Sequence, residues 1–176
     1  RGKVVLGHNY MIDGKIFDKG YELNQNIEIN GEKVSFGNTA YMKNIGFLPD
    51  VPSYYKYMTG QEFLHMCAHF QNCTKAGIPG LLKTTGLEKA KDRKLGSYSR
   101  GMSQRLGIAQ AMVNDPSLLI LDEPVSALDP MGRKEILDML ASFKGNKTIF
   151  FSTHILSDVE RICDHAAIIN EGKLLL

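Results

Sequence analysis

Hydrophobic positions follow three successive spacings along the chain. Ile27-Glu28-Ile29-Asn30-Gly31-Glu32-Lys33-Val34 alternates around Asn-Gly. That pattern predicts two short strands joined by a tight hairpin, because Asn and Gly accept the positive φ the turn needs. Ile45 to Leu48 predicts a further strand, stopped by Pro49, which has no N–H to give a sheet. The first fifty residues therefore read as β-rich and irregular. The middle then shifts to helical spacing. Thr59-Gly60-Gln61-Glu62 fits a capping box ahead of Phe63, Leu64, Cys67 and Phe70, and predicts a helix there. Gly77 to Gly80, with Pro79, interrupts it, and a second helical stretch is expected from Leu81. A third opens at Tyr98-Ser99-Arg100-Gly101-Met102-Ser103-Gln104-Arg105 and runs to about Asn114. Residues 51–115 thus read as a mostly helical insertion.

The last third alternates strand and helix. Ser117 to Leu121 is an aliphatic strand, and Asp129-Pro130 starts a helix with Ile136, Leu137, Leu140 and Phe143, an N-cap followed by Pro at the first helical position. Lys147 to Ser152 is a β-branched and aromatic strand, followed by a helix carrying Ile155, Leu156, Val159 and Ile162. Ala166 to Asn170, a Glu171-Gly172 turn and Lys173 to Leu176 close the chain. Apolar strands alternating with helices imply a mostly parallel sheet covered on both faces, an α/β fold. Ligands of such sheets sit at the carboxyl ends of the strands, which directs attention to where Leu121 and Phe151 end.

Composition narrows the field without naming a chemistry. The 176 residues are 43% hydrophobic and 23% charged, ordinary for one globular domain. The 21 basic and 19 acidic residues leave a net charge of +2, too small a field to argue for nucleic acid or an anionic membrane. Three cysteines, Cys67, Cys73 and Cys163, are too few and odd in number for a disulfide framework, which favours a reducing, intracellular setting. No apolar run approaches the length of a spanning helix. The N-terminus, Arg1 to Gly7, has neither an initiating Met nor a signal-peptide core, so a fragment is expected.

Chemistry concentrates in a few strings. Asp122 and Glu123 follow Leu121 directly. Two adjacent carboxylates at a strand end call for a counter-charge; Mg²⁺ would supply it, with one carboxylate on the metal and the other acting on water. Taken alone, they also read as two solvated acids. Ser152, Thr153 and His154 follow Phe151. A His there would sit beside the same pocket, within reach of a phosphate oxygen or a water, or simply begin a helix. Ser99 and Gly101 open a helix whose free N–H groups suit an anion, or form an ordinary N-cap. His65, His69 and Cys73 have i, i+4, i+8 spacing and raise a zinc site as a rival. One helix alone leaves the tetrahedron incomplete, so an inward Cys67 with solvated histidines is the preferred account.

Taken together, Ser99-Arg100-Gly101-Met102-Ser103-Gln104, Leu118 to Pro124, Ser126-Ala127-Leu128-Asp129 and Ser152-Thr153-His154 resemble, in order and spacing, the signature motif, Walker B strand, D-loop and switch histidine of the ATP-binding-cassette (ABC) family. Ile45 to Asp50 is similar to its Q-loop strand. The resemblance covers residues 27–176 and is closest in style to bacterial ATPases that serve separate permeases, often exporters. It implies a P-loop-NTPase-like α/β fold of mostly parallel sheet, with the N-terminal β-rich segment, a helical subdomain at 51–115 and a Walker B and switch-His half at 116–176, all within one incomplete nucleotide-binding domain over 1–176. It implies ATP and Mg²⁺ as cofactors: Asp122 on the metal through water, Glu123 polarising the attacking water, His154 at the γ-phosphate, and Asp50 where Gln is usual. It further implies Ser99, Gly101 and Gln104 on ATP held by a second, head-to-tail nucleotide-binding domain, and Asp129 speaking across that interface. A membrane permease would be the other partner, with the chain peripheral on the cytoplasmic face of the membrane. Nucleic acid is not expected, because the tandem cassettes or long coiled-coil inserts of family members that act on ribosomes or DNA do not occur here.

One family motif does not occur in the sequence. The Gly-Lys pairs are Gly2-Lys3, Gly14-Lys15 and Gly172-Lys173, followed by Val4, Ile16 and Leu174. None completes the G-x-x-x-x-G-K-[ST] loop that cradles phosphates. Gly7 to Asn26 matches nothing recognised in the family, and Tyr10 and Tyr21 are available for adenine. The expected function is the ATP-hydrolysing subunit of a transporter. The alternative is a degenerate or truncated cassette that only lends its signature motif to a partner's ATP.

Overall fold

A computed structural model describes residues 11–12, 15–16, 28–34, 39–74, 77–126, 128–170 and 173–175. The chain enters through two hairpins, β1 (Met11–Ile12) with β2 (Lys15–Ile16) and β3 (Glu28–Ile29) with β4 (Glu32–Lys33). Asn30 and Gly31 turn the second hairpin with φ of 52° and 78°, the two positive values a two-residue turn demands. A 3₁₀ turn at Ala40–Asn44 leads into β5 (Ile45–Leu48). Three helices follow: α1 (Gly60–Phe70), α2 (Ile78–Thr84) and α3 (Arg100–Ala111). Then come β6 (Leu118–Leu121), α4 (Pro130–Ser142), β7 (Thr148–Phe151), α5 (Leu156–Ile162) and a last hairpin, β8 (Ile169–Asn170) with β9 (Lys173–Leu174).

The helix boundaries differ from the sequence reading in three places. α2 begins at Ile78, inside the Gly77–Gly80 stretch, because Pro79 falls in its first turn, where a missing N–H leaves no bond unmade. α3 ends at Ala111, and Asp115 beyond it takes a left-handed φ of 46° that turns the chain into β6. Ile155 is the N-cap residue of α5 rather than part of it.

The parallel sheet is β5-β6-β7 in that order. Ile45, Leu118 and Thr148 stand in one row; Leu48, Leu121 and Phe151 stand in another. All three strands therefore end level, and whatever follows them shares one edge. One face of this sheet, with Leu48, Leu119, Leu121, Ile149 and Phe151, packs against Ile108, Met112, Ile136, Leu140 and Val159 of the helices. Among the described residues, the other face carries a smaller cluster. Leu118, Ile120 and Phe150 meet Ala167 and Ile169, and Phe47 stays 49% exposed.

A second core joins α1 and α2 to α3 through Phe63, Leu64, Ile78, Leu82, Leu106 and Ala109. α3 thus serves both cores: Ile108 faces the sheet while Leu106 and Ala109 face the helices. β5 and α3 lie in direct backbone contact. A Cβ on Gly46 would run into the Ala111 carbonyl, and one on Gly107 into Leu48 and the Tyr54 hydroxyl. Arg105 fastens the arrangement from outside, donating to the Thr85 carbonyl and to Glu135 on α4. Among the described residues no helix is long and apolar enough to cross a membrane.

Candidate functional site

Because the strands end level, three short segments meet at the carboxyl edge: Asp50 beyond β5, Asp122-Glu123 beyond β6 and Ser152-Thr153-His154 beyond β7. Backbone bonds continue past the strands. The Asp122 N–H donates to the Leu48 carbonyl at 2.8 Å, and the Ser152 N–H to that of Leu121 at 3.0 Å. The segments are therefore held as an extension of the sheet.

Within it, Glu123 and His154 face one another. His154 Nδ1 lies 3.0 and 3.1 Å from the two carboxylate oxygens of Glu123. An ionised carboxylate only accepts, so Nδ1 carries the proton and the other ring nitrogen remains for a ligand. Glu123 is 21% exposed and His154 71%, which places the acid inside and the imidazole at the rim. Glu123 has φ 45°. The other described non-glycine residues at positive φ are Asn30, Asn72 and Asp115, types that tolerate this region; a Glu there marks imposed strain. Its N–H donates to the Ser152 hydroxyl at 2.9 Å, and that hydroxyl donates to Asp122 Oδ1 at 2.5 Å. On the neighbouring strand, Asp50 Oδ1 accepts from the Ser126 hydroxyl at 3.1 Å.

The structure thus brings together Asp50, Asp122, Glu123 and His154. It leaves the signature residues on another element. Ser99 is the exposed N-cap of α3, accepting from the Met102 N–H at 3.2 Å. Gly101 is open; a Cβ there would meet only Leu128, at 3.8 Å. Asp129 caps α4 by accepting from the Gly132 N–H and is exposed. Gln104 departs from the sequence reading. It is 3% exposed and its side-chain oxygen has no hydrogen-bond partner. It shares a helix face with Ile108, four residues on, so it turns into the protein and is not presented to a nucleotide outside.

The zinc rival finds no support. Cys73 directs its thiol to the carbonyls of Ala68 and Val113. Cys67 is buried, and desolvation pushes its thiol up to about 11. Among the described residues no group of three potential ligands gathers. Gly7 to Asn26, Tyr10 and Tyr21 included, lies outside the described residues except for the backbone of β1 and β2.

Two residues that contribute were not singled out from the sequence, Ser126 and Ser152. Both stand inside motifs recognised there, but their bonds span 76 and 30 residues and follow from strand register, which composition does not show.

Known proteins support the same assignment. The chain is 45% identical over 134 residues to an uncharacterized ABC transporter ATP-binding protein of Bacillus subtilis, covering 74% of this chain and 45% of that protein. It is 42% identical over 152 residues to the bacitracin transport ATP-binding protein of Bacillus licheniformis, covering 85% of this chain and 50% of that one. The chain spans about half the length of the curated relatives it matches. A solved ATP-binding subunit of an ABC transporter superposes with a TM-score of 0.72 at 31% identity, covering 86% of this chain and 65% of the other. A family profile described as ABC transporter matches residues 5–126. With a family profile over more than half of its length and relatives of this identity, the chain belongs to the ABC transporter family.

Proposed function

We propose that this chain is the ATP-hydrolysing part of an ABC transporter subunit. ATP-driven association of two nucleotide-binding domains, followed by hydrolysis, would be coupled to transport by a separate membrane permease. The observation that supports this best is the Glu123–His154 pair beside Asp122 at the carboxyl edge of a parallel sheet. A carboxylate held by an imidazole at the rim suits a base acting on water.

Asp122 fits a magnesium site by the chemistry of its donors: a carboxylate at a strand end, already oriented by the Ser152 hydroxyl, is the hard oxygen ligand that Mg²⁺ prefers, usually with water retained between. Bound there, Mg²⁺ would offset the charge of the phosphates. Asp50 would hold water or metal from the adjacent strand. Glu123 would take the proton of the attacking water, and the free nitrogen of His154 would face the terminal phosphate. Ser99 and Gly101 would bind ATP carried by the second domain, and Asp129 would report across that interface. Residues 51–115 would dock on the permease, which places the chain on the cytoplasmic face of the membrane. A relative named for bacitracin transport supports a role in transport, and the permease would choose the cargo.

The second reading has one observation in its favour. No G-x-x-x-x-G-K-[ST] string occurs in the 176 residues, whereas Ser99 stands exposed at an open helix start. In that reading the chain lends Ser99 and Gly101 to a partner's ATP. Phosphate release from MgATP by this chain mixed with an intact ABC nucleotide-binding domain separates the two. Release that collapses in Glu123→Gln supports the first. Release indifferent to Glu123→Gln but lost in Gly101→Asp supports the second. Release indifferent to both removes this chain from the reaction.

A further inference from the structure

Ser152 is the first residue beyond β7 and stands two before His154, and its hydroxyl makes two bonds whose directions are fixed by chemistry. The Glu123 amide can only donate, and an ionised Asp122 can only accept. The single hydroxyl proton therefore goes to Asp122 Oδ1, 2.5 Å away, and an oxygen lone pair receives the Glu123 N–H, 2.9 Å away. One side chain just past β7 thus bonds to both acids just past β6. The level register of Leu121 with Phe151 is what sets the first residues beyond the two strands side by side.

The bond to the Glu123 amide bears on a strained residue. Glu123 holds φ 45° without the side-chain compensation open to Asn or Asp, and such conformations persist only where the surroundings over-determine them. The left-handed backbone is also what turns the Glu123 carboxylate to His154 rather than along the strand direction. Its partner for this purpose is a hydroxyl that is half-buried and itself anchored, since the Ser152 N–H donates to the Leu121 carbonyl.

We propose that Ser152 is a positioning residue for the proposed hydrolysis: its hydroxyl holds the Glu123 backbone in the conformation that aims the carboxylate at His154, and fixes the Asp122 oxygen beside it. The inference rests on the roles proposed above for Glu123 and Asp122. A merely structural hydroxyl would close the strand end without affecting Glu123.

Amide exchange in the 176-residue chain, followed residue by residue by NMR, reads the positioning directly. In Ser152→Ala the Glu123 amide exchanges about fivefold to tenfold faster, the loss expected for one hydrogen bond, while Leu119 inside β6 keeps its protection. Ser152→Thr, which keeps the hydroxyl, restores the wild-type rate. If Leu119 also loses protection in Ser152→Ala, the comparison is made with Ser152→Cys, which preserves volume but bonds weakly. A Glu123 amide that exchanges at the wild-type rate in the folded Ala or Cys variant overturns the proposal. With an intact partner domain and MgATP, Ser152→Ala lowers kcat and leaves KM unchanged, and Ser152→Thr recovers kcat. Equal kcat in the Ala and Thr variants also overturns it. A wild-type chain that supports no hydrolysis overturns the proposed function instead, and the Glu123 exchange rates then decide on Ser152 alone.

Discussion

The carboxyl edge of the sheet and the start of α3 are both polar, yet they are built in opposite ways. At the edge, polar side chains bond to one another across strands: Ser152 to Asp122, His154 to Glu123, Ser126 to Asp50. At the start of α3, Ser99 accepts from its own helix, Gly101 offers no side chain, and among the described residues no hydrogen bond from another strand or helix reaches its first N–H groups. α1 shows what a closed start looks like. There Thr59 accepts from the Glu62 N–H and Glu62 accepts from the Thr59 N–H. α3 has Met102 where that Glu stands, so its reciprocal bond is missing. The edge is bonded across strands, whereas the start of α3 stands open among the described residues.

The largest test of this contrast is Glu123→Gln. The amide keeps the shape and the bond to His154 but cannot take a proton. Phosphate release in the presence of an intact partner domain is expected to fall about 10²–10⁴-fold with nucleotide still bound. Near-normal release would show that the edge is not where water is activated.

Gly101→Asp comes next. The open space around Gly101 accepts the side chain, with only Leu128 near, so folding is retained. A carboxylate facing a phosphate costs several kcal/mol at a partly buried interface, and ATP-dependent association measured by sedimentation is expected to weaken about a hundredfold. Weaker nucleotide binding by the variant alone, with association unchanged, would show instead that the helix start works within its own chain.

Ser99→Ala removes the cap bond. The expected loss is about 1 kcal/mol of stability, read as a lower thermal midpoint, together with the contact to a partner's nucleotide. A variant that melts like the wild type would mean that this cap contributes nothing to α3.

The smallest effect is on pH. The amide and hydroxyl of Thr59 hold the Glu62 carboxyl below its ordinary range. Its folded-state pKa is depressed, so its contribution is present above the unfolded value and fades as pH falls through the folded one. Protection factors of the α1 amides, taken against the intrinsic exchange rate at each pH, should therefore fall on acidification in the wild type and not in Glu62→Gln, while those of α3, which has no acid in its first turn, hold in both. Equal pH sensitivity of the two helices would erase the distinction between their starts.

Much of the fold follows from local pattern. Alternation around Asn30-Gly31, the aliphatic Leu118–Leu121 and the Asp129-Pro130 start each specify their element from neighbours in sequence. The gathering of Asp122, Glu123 and His154 at one edge was equally legible, because they stand one to three residues past apolar strands. What was not legible depends on contacts between distant segments. Ser152 and Ser126 act through strand register. Gln104 reads as polar and exposed, yet its helical phase puts it on the face of Ile108. Glu123 adopts its left-handed backbone for no reason visible in the residues beside it.

The glycines between β5 and α3 have a mechanical consequence. With no side chain at Gly46 to act as padding, the strand lies against the Ala111 carbonyl, and at Gly107 the space is taken by the Leu48 side chain and the Tyr54 hydroxyl. α3 also belongs to the outer core of α1 and α2, so the helical side and the strand that ends two residues before Asp50 have one helix in common, with no spacer between them.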